Sequence, residues 1–266
     1  MTIRTSAWPV GVPCWTDLAT SDVEKAQLFY AAVLGWQFLD PAEDFGGYVI
    51  AHVGGAATAG IGPLMGDQQR PSWTLYLASD NADETAIAVD RNGGTVLLAP
   101  GDVGPSGRMF IASDPAGAVF GVWQAGTAIG SSLVNEPGGI TWEDLRSTDP
   151  DAARAFYGAV FGYDFQPVPM AGPDYTTFHS SDQEPPLGGM GGMFGAPEGT
   201  PSHWLVYFSV ADLDAALGAA ESSGGHVLAP AFETPYGRRG AVVDPAAATF
   251  WLMQQPPDQP RPDREG

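Results

Sequence analysis

The segment VPCWTDLATSD at residues 12–22, continued by FYAAVLGW at residues 29–36, carries the pattern that decides the fold. Its alternating residues predict a strand, and apolar residues three and four apart predict a helix after it. The pattern returns as ITWEDLRSTD at residues 140–149 and FYGAVFGY at residues 156–163. A constant offset of 127 (142 − 15, 144 − 17, 157 − 30) pairs Trp15 with Trp142, Asp17 with Asp144 and Tyr30 with Tyr157. Such regularity indicates a duplicated unit.

Both copies carry the same signals for where the helix begins and ends. Asp22 and Asp149 precede the helices and are suitable N-cap residues. Gly35 and Gly162 follow the last apolar residues, where a left-handed C-cap favours glycine. In the first copy these signals predict a helix over residues 24–34.

The composition limits the possible functions. A chain of 266 residues has room for two domains of about 130 residues, each able to bury a core. The net charge of −20, from 31 acidic against 11 basic residues, disfavours nucleic acid and an anionic membrane surface as partners. No apolar run has the length of a membrane span. The single cysteine, Cys14, cannot form an internal disulfide, so a cytoplasmic location is expected.

The rest of each copy is predicted to consist of short strands and one further helix. One helix for four strands is too few to cover a doubly wound sheet. We therefore expect an α+β fold of tandem βαβββ units, two per domain and four in all, forming two open-barrel clefts. The predicted strands include two short ones, Thr95–Leu98 and His226–Leu228. The expected divisions are a first domain at 1–126, a linker at 127–139, a second domain at 140–254 and a disordered tail at 255–266.

Two pairs of motifs resemble a known family. FYAAVLGW and DPAGA (residues 114–118), with their copies FYGAVFGY and DPAAA (residues 244–248), resemble the vicinal oxygen chelate superfamily. That superfamily holds glyoxalase I, bleomycin-resistance proteins and extradiol dioxygenases. The chain is similar in particular to a two-domain actinobacterial branch labelled "glyoxalase-like" or "hydroxylase", with mycobacterial antigens and proteins of aromatic polyketide biosynthesis among its members. The resemblance implies two glyoxalase-like domains but no single reaction, because this scaffold hosts many chemistries.

The resemblance also implies where a metal would bind. Metal-binding members take His, Gln or Glu ligands from the first and last strands of their units. The corresponding positions here are Trp15, Thr74, Trp142, Leu205, Gly121 and Trp251. A catalytic metal normally has about three nitrogen or oxygen ligands from the protein. None of these six residues is a usual ligand, so we expect no metal at the family position and no cofactor.

Residues on the same strand faces are the candidates for binding a ligand, since side chains alternate along a strand. These candidates are Trp15, Tyr48, Tyr76, Trp123, Trp142, Tyr175, Tyr207, Trp251, Met253, Arg108 and Arg238. Such a lining suits a small hydrophobic or aromatic molecule fixed by a few polar contacts. The tryptophans could equally be core residues, and the two arginines could simply pair with some of the many acids.

Four residues are candidates for acid–base catalysis. Asp17 and Asp144 are possible general bases, because burial without a cation raises the pKa of a carboxyl group. His52 and His179 share the offset of 127 and lie in equivalent predicted strands. The alternative is that both pairs are structural, with the acids hydrogen-bonded and the histidines bonded to the backbone.

Three functions remain open at this stage. The first is a superfamily member without the family metal site that binds a planar aromatic or polyketide-like molecule in its clefts, in secondary-metabolite biosynthesis or resistance. The second is an enzyme that uses the cleft Asp and His residues, as a lyase, isomerase, hydroxylase or metal-dependent glyoxalase or dioxygenase. The third is an interaction protein of antigen type. The chain is expected to be a monomer with two pseudo-symmetric domains or a homodimer.

Overall fold

The computed structural model describes residues 3–39, 46–66, 69–172, 174–180 and 185–256. Most of the predicted tail, residues 257–266, lies outside the described residues. None of the helices in the described ranges is long and apolar enough to cross a membrane.

The first half of the chain runs through eight strands and two helices. In chain order they are β1 (Pro13–Thr20), α1 (Val23–Leu34), β2 (Gln37–Phe38), β3 (Val49–Val53), β4 (Ala56–Pro63), β5 (Ser72–Ala78), α2 (Ala82–Arg91), β6 (Thr95–Val103), β7 (Gly107–Ser113) and β8 (Val119–Ala125).

The second half repeats this order. Its elements are β9 (Ile140–Arg146), α3 (Pro150–Phe161), β10 (Tyr163–Pro167), a 3-10 turn (Pro169–Ala171), β11 (Thr176–Ser180), β12 (Gly188–Gly191), β13 (His203–Ser209), α4 (Leu213–Ser222), β14 (His226–Thr234), β15 (Gly237–Val243) and β16 (Thr249–Gln254).

Each half forms one eight-stranded sheet. The strand order is β2-β3-β4-β1-β5-β8-β7-β6 in the first sheet and β10-β11-β12-β9-β13-β16-β15-β14 in the second. Within a unit the first and last strands are parallel neighbours, as in β1 with β4 and β5 with β8. The two units of a domain join through the antiparallel pair of their first strands, β1 with β5 and β9 with β13. The expected α+β fold of tandem βαβββ units is confirmed.

The predicted helix ends are also confirmed. The side chains of Asp22 and Asp149 accept hydrogen bonds from the backbone N–H groups of Lys25 and Ala152. Gly35 and Gly162 close their helices at φ 70° and 71°, a left-handed conformation that glycine adopts without steric cost.

Every sheet has a helix face, covered by helices, and an opposite face that we call the open face. The helix-face side chains of both sheets belong to one continuous core. Helix α1 of the first domain packs against α4 of the second, and α2 packs against α3. Ring contacts also cross between the domains, with Phe29 edge-on to Phe250 and Trp36 edge-on to Phe208. The two domains are therefore joined through their helix faces, and the open faces point away from this junction.

Candidate functional site

Strand register builds the centre of the first open face. Asp17 of β1 lies opposite Thr74 of β5, and Trp15 lies opposite Tyr76. Tyr76 in turn lies opposite Gly121 of β8. Side chains alternate along a strand, so these residues occupy the face opposite to Leu18 and Leu75, which lie in the core between the sheet and the helices. The sequence pattern thus brought the matched tryptophan and aspartate to one face.

Asp17 is the acceptor of a small hydrogen-bond cluster. The Tyr76 hydroxyl donates to Asp17 Oδ2 at 3.0 Å and the Tyr48 hydroxyl donates to the same oxygen at 3.4 Å. Trp15 Nε1 donates to the Tyr48 hydroxyl at 2.9 Å. Within the described ranges no basic side chain forms an ion pair with Asp17. In this part of the chain its hydrogen-bond donors are the two tyrosine hydroxyls, and neither carries a charge.

This environment sets the protonation of the cluster. Burial raises the pKa of Asp17 to about 7, with the hydrogen bonds from Tyr76 and Tyr48 opposing the rise. Burial and the neighbouring Asp17 charge raise the pKa of both tyrosines well above the usual value. The tyrosines therefore remain donors, and Asp17 is the member of the cluster that exchanges a proton near neutral pH.

The second open face carries the matching cluster around Asp144, whose side chain is completely buried. Trp142 Nε1 and the Tyr175 hydroxyl donate to Oδ1 at 2.9 and 2.6 Å. The Tyr207 hydroxyl donates to Oδ2 at 2.9 Å, and Arg146 Nη2 lies 3.0 Å from the same oxygen. Asp144 therefore has four donors, one of which is a cation.

Arg146 makes the two clusters electrically different. The equivalent residue of the first domain is Ala19, which cannot pair with Asp17. The guanidinium of Arg146 also lies over two aromatic rings, 4.8 Å from the centroid of Phe194 and 5.8 Å from that of Tyr175. Contacts of this kind are cation–π interactions.

A second arginine stands on the same open face. The guanidinium of Arg239 lies 5.2 Å from the Phe232 ring centroid and 5.9 Å from that of Trp251. Trp251 stacks on Tyr207 at 5.4 Å with an interplanar angle of 26°. The counterpart of Arg239 in the first domain is Met109. It follows Arg108 in the same way that Arg239 follows Arg238. The aromatic and cationic side chains of the second open face thus adjoin the Asp144 cluster.

Glycines on neighbouring strands make room for the tyrosine rings. A Cβ atom on Gly60 would overlap the Tyr48 hydroxyl, and one on Gly189 would overlap the Tyr175 hydroxyl. A Cβ on Gly121 would overlap the Tyr76 ring. Gly121 is one of the six positions at which the family resemblance implies a metal ligand. Here the space beside it is filled by an aromatic ring.

The side chains at the six family positions do not fit a divalent metal. The six residues are three tryptophans, a leucine, a threonine and a glycine: Trp15, Trp142, Trp251, Leu205, Thr74 and Gly121. Within the described ranges no group of three or more His, Cys, Asp or Glu residues is placed to hold a metal ion. This donor set lacks the nitrogen and oxygen ligands that such ions need.

The structure does not bring the two candidate histidines into hydrogen-bond contact with the carboxylates. His52 Nδ1 lies 3.0 Å from the carbonyl oxygen of Ile50. His179 is buried, and its Nε2 lies 3.0 Å from the Thr177 hydroxyl. Both contacts are local to the strand that carries the histidine.

Arg108 and Arg238 are likewise not brought to the open faces. Arg108 pairs with Asp83 of α2 and with Asp102. Arg238 pairs with Asp214 of α4 and with Glu233. Both arginines point toward helices, because strand alternation turns their side chains away from the open face.

The remaining candidates have mixed surroundings. Trp123 is half-buried and its Nε1 donates to the carbonyl oxygen of Ala128 at 2.9 Å, so the predicted linker holds it. Met253 lies opposite Arg239 in the strand register.

Sequence reasoning missed Arg146, Arg239, Phe194 and Phe232. The spacing of Arg146, two residues after Asp144 on one strand, could have indicated the first of these.

Comparisons with known proteins agree with this architecture. The family model described as Glyoxalase/Bleomycin resistance protein/Dioxygenase superfamily matches residues 14–143 and again residues 139–252. A Mycobacterium tuberculosis protein named "Putative glyoxylase CFP32" is 37% identical, covering 96% of this chain and 99% of its own. The anthracycline biosynthesis protein DnrV of Streptomyces peucetius is 33% identical, covering 92% and 93%.

Among solved structures, the Mn(II)-bound glyoxalase from Novosphingobium aromaticivorans has a TM-score of 0.66 at 16% identity, covering 92% of this chain and 82% of its own. The 2,2',3-trihydroxybiphenyl 1,2-dioxygenase from Sphingomonas wittichii has a TM-score of 0.63 at 14% identity, covering 92% and 91%. These two likenesses show the shared fold. The family model, which matches the chain twice, shows that this protein belongs to the Glyoxalase/Bleomycin resistance protein/Dioxygenase superfamily.

Proposed function

We propose that this protein binds a planar, largely apolar aromatic molecule of polyketide type on the open faces of its sheets, without the metal of its superfamily. The observation that carries the proposal is the cluster of carboxylate, tyrosine and tryptophan side chains at the centre of each open face. Two of its members, Trp15 and Trp142, occupy positions at which the family resemblance implies a metal ligand. Hydrogen-bond donors of the protein surround Asp17 and Asp144.

The aromatic side chains of these faces are available for stacking. Trp15, Trp142 and Trp251 are half-buried, while 46% of Phe194 and 40% of Phe232 are exposed. A ligand of roughly 30 heavy atoms, at about 0.3 kcal/mol per atom, would gain about 9 kcal/mol, which corresponds to sub-micromolar binding. Such affinity requires no metal.

The names of two relatives support a role in secondary metabolism. DnrV of Streptomyces peucetius and DauV of a Streptomyces species are both named as anthracycline biosynthesis proteins, and each is 33% identical to this chain over 261 residues. We infer a role in the biosynthesis of, or resistance to, an aromatic secondary metabolite.

Calorimetric titration with 1,4-dihydroxyanthraquinone tests the binding. Trp142→Ala and Trp251→Ala are each expected to weaken it by about tenfold, since stacking on a removed ring is worth roughly 1 kcal/mol or more. Leu28→Ala, which removes an exposed apolar side chain from α1, is the control and is expected to change nothing. Unchanged affinity in both tryptophan variants and in Trp15→Ala would overturn the proposal.

Native mass spectrometry of the freshly purified protein tests the metal-independent part. The expected mass is that of the chain, alone or with a small organic molecule. Stoichiometric zinc, nickel, manganese or iron that survives purification without added metal would contradict this part of the proposal.

A proton-transfer enzyme is the second candidate, favoured by one observation. Asp17 has no cationic partner among the described residues, and its pKa is raised to about 7 by burial, which suits a general base at neutral pH. Deuterium exchange at the α-carbon of 1-tetralone, followed by NMR, is a direct test. We expect faster exchange with the protein than in buffer, lost in Asp17→Asn and kept in Asp144→Asn. Equal rates in Asp17→Asn and wild type would exclude this role for Asp17.

A further inference from the structure

Arg239 has no acidic partner among the residues that the structure describes, although the protein is rich in acids. The chain contains 31 acidic and 11 basic residues. Four other arginines, Arg108, Arg146, Arg154 and Arg238, form ion pairs. Arg239 forms no ion pair or hydrogen bond with the residues that the structure describes, and its Nε is buried without a hydrogen-bond partner there. A buried polar group left unpaired in this way is costly unless something else binds it.

Aromatic rings hold the guanidinium of Arg239 in place. Phe232 and Trp251 lie 5.2 and 5.9 Å from it, and those two rings are edge-on to one another at 6.2 Å. A guanidinium carries five N–H donors in one plane, so contact with ring faces leaves its edge for an acceptor. The half-buried Trp251 offers a ring on which a planar ligand can stack beside that edge.

The charge of the second open face favours an anion. The carboxylate of Asp144 on this face is already paired with Arg146 at 3.0 Å. Within the described part of the chain, Arg239 is therefore a cation of this face that no carboxylate pairs with. The first open face has Ala19 and Met109 at the positions of Arg146 and Arg239, so it has neither cation.

We propose that the ligand of the second domain carries an anionic oxygen on its aromatic ring system, either a carboxylate or an ionised phenol, and that the edge of Arg239 binds it. This inference rests on the proposed function, because it names the charge of the same aromatic ligand. It also assigns selectivity for that charge to the second domain alone.

Three naphthalene probes separate charge from shape: 2-naphthoate, 2,4-dinitro-1-naphtholate and the neutral 2-acetylnaphthalene. With the wild-type chain at pH 7, we expect at least one anion to bind about tenfold more tightly than the neutral probe, since charge-assisted hydrogen bonds are the stronger ones. The tighter of the two anions identifies the oxygen group as carboxylate or phenolate. Calorimetry gives the affinities.

Variants assign the preference to one side chain. Arg239→Gln and Arg239→Met, the latter matching Met109 of the first domain, are expected to remove the tenfold preference while leaving the neutral probe bound. Arg238→Gln is the matched control, because it removes the same charge from the neighbouring residue, whose side chain lies on the helix face. This variant is expected to keep the preference for the anion. Arg239→Lys, which keeps the charge without the planar edge, is expected to lose part of it. Far-UV circular dichroism confirms that each variant is folded.

The outcomes distinguish this inference from the proposed function. Equal binding of anionic and neutral probes by the wild type overturns the anion site, while the aromatic site stands. A preference that survives in folded Arg239→Gln also overturns it. If none of the three probes binds but 1,4-dihydroxyanthraquinone does, the anion site is overturned and the aromatic site stands. If the anthraquinone does not bind either, the proposed function fails and the anion site fails with it.

Discussion

Asp17 and Asp144 occupy the same position of the repeat but differ in what balances their charge. Asp17 accepts hydrogen bonds from two tyrosine hydroxyls. Asp144 accepts hydrogen bonds from two tyrosines and a tryptophan and in addition forms an ion pair with an arginine. The difference in charge comes from one position, which is Ala19 in the first domain and Arg146 in the second. One open face thus carries a carboxyl group whose pKa is raised to about 7, and the other carries a carboxylate paired with a cation.

The raised pKa of Asp17 predicts how stability depends on pH. Between about pH 4 and pH 7 the folded chain holds a proton on Asp17 that the unfolded chain has released, so the free energy of unfolding falls as pH rises through that window. In Asp17→Asn this contribution is absent. We therefore expect the variant to gain stability relative to wild type from pH 4 to pH 7, with no further gain above pH 7.

Urea unfolding at pH 4.5, 6, 7 and 8 measures this difference. Asp80→Asn, a change at an exposed acid, controls for net charge. A difference between Asp17→Asn and wild type that does not change with pH would show that the pKa of Asp17 is not raised.

Removing Arg146 is expected to be costly. Arg146→Ala leaves the fully buried Asp144 without its cation, and an uncompensated buried charge typically costs about 3 kcal/mol or more. Adding Asp144→Asn should recover part of this loss. Arg238→Ala, which breaks more exposed ion pairs, is expected to cost about 0–1 kcal/mol. Urea unfolding at pH 7 gives all three values, and equal losses in Arg146→Ala and Arg238→Ala would contradict the assignment.

Two strands are longer than their sequence indicated, and one of them carries part of the site. Strands Thr95–Leu98 and His226–Leu228 were predicted to be short, but they extend to Val103 and Thr234. Both contain a proline, and in both the register against the neighbouring strand shifts once before the proline and once across it. Each is the last strand of its sheet, where a bulge can accommodate a proline. The extension of β14 is what places Phe232 beside Arg239.

Helix α4 offers a stabilising substitution. Gly218 lies exposed within Leu213–Ser222, and a Cβ added there would meet no atom within 4 Å. Because alanine loses less backbone entropy than glycine in a helix, Gly218→Ala is expected to raise the free energy of unfolding by about 0.5–1 kcal/mol. Gly158→Ala in α3 is a useful comparison, since its Cβ would meet the Tyr163 carbonyl oxygen at 3.4 Å. A thermal or urea melt in which Gly218→Ala gains nothing would argue against an open environment at residue 218.

At the scale of the molecule, the two domains share one core. Tyr30 of the first domain donates to Asp244 Oδ2 of the second at 3.1 Å and accepts from Trp73 Nε1 at 3.1 Å. Phe29 and Tyr30 both contact the Phe250 ring across the junction. The DPAGA and DPAAA turns that carried the family resemblance therefore include, in Asp244, a residue that joins the domains.

This junction predicts cooperative unfolding. We expect one transition, coincident by far-UV and near-UV circular dichroism, because neither domain can expose its helix face alone. Tyr30→Phe should lower the free energy of unfolding by about 1–3 kcal/mol, since Trp73 and Asp244 lose a buried partner. Tyr236→Phe, at an exposed ring, is the control. Two separated transitions would show that the domains fold independently.

The sequence by itself determined the repeat, the helix caps and the pairing of the open-face residues. The helix caps and the strand faces follow from local rules, because capping and strand alternation depend on neighbours a few positions apart. The repeat follows from comparing the chain with itself at an offset of 127. The matched Trp15 and Trp142 and the matched Asp17 and Asp144 were found in this way.

Only the tertiary structure decided which charges and rings meet. The sequence made Arg238 a candidate for binding the ligand, yet its guanidinium pairs with Asp214 of α4. Its neighbour Arg239 is the one that contacts the aromatic rings. Phe232, Phe194 and Trp251 come from separate segments of the chain, and bulges and turns set their register against the two arginines. Side-chain contacts of that kind depend on the path of distant segments, and no local pattern in the sequence specifies them.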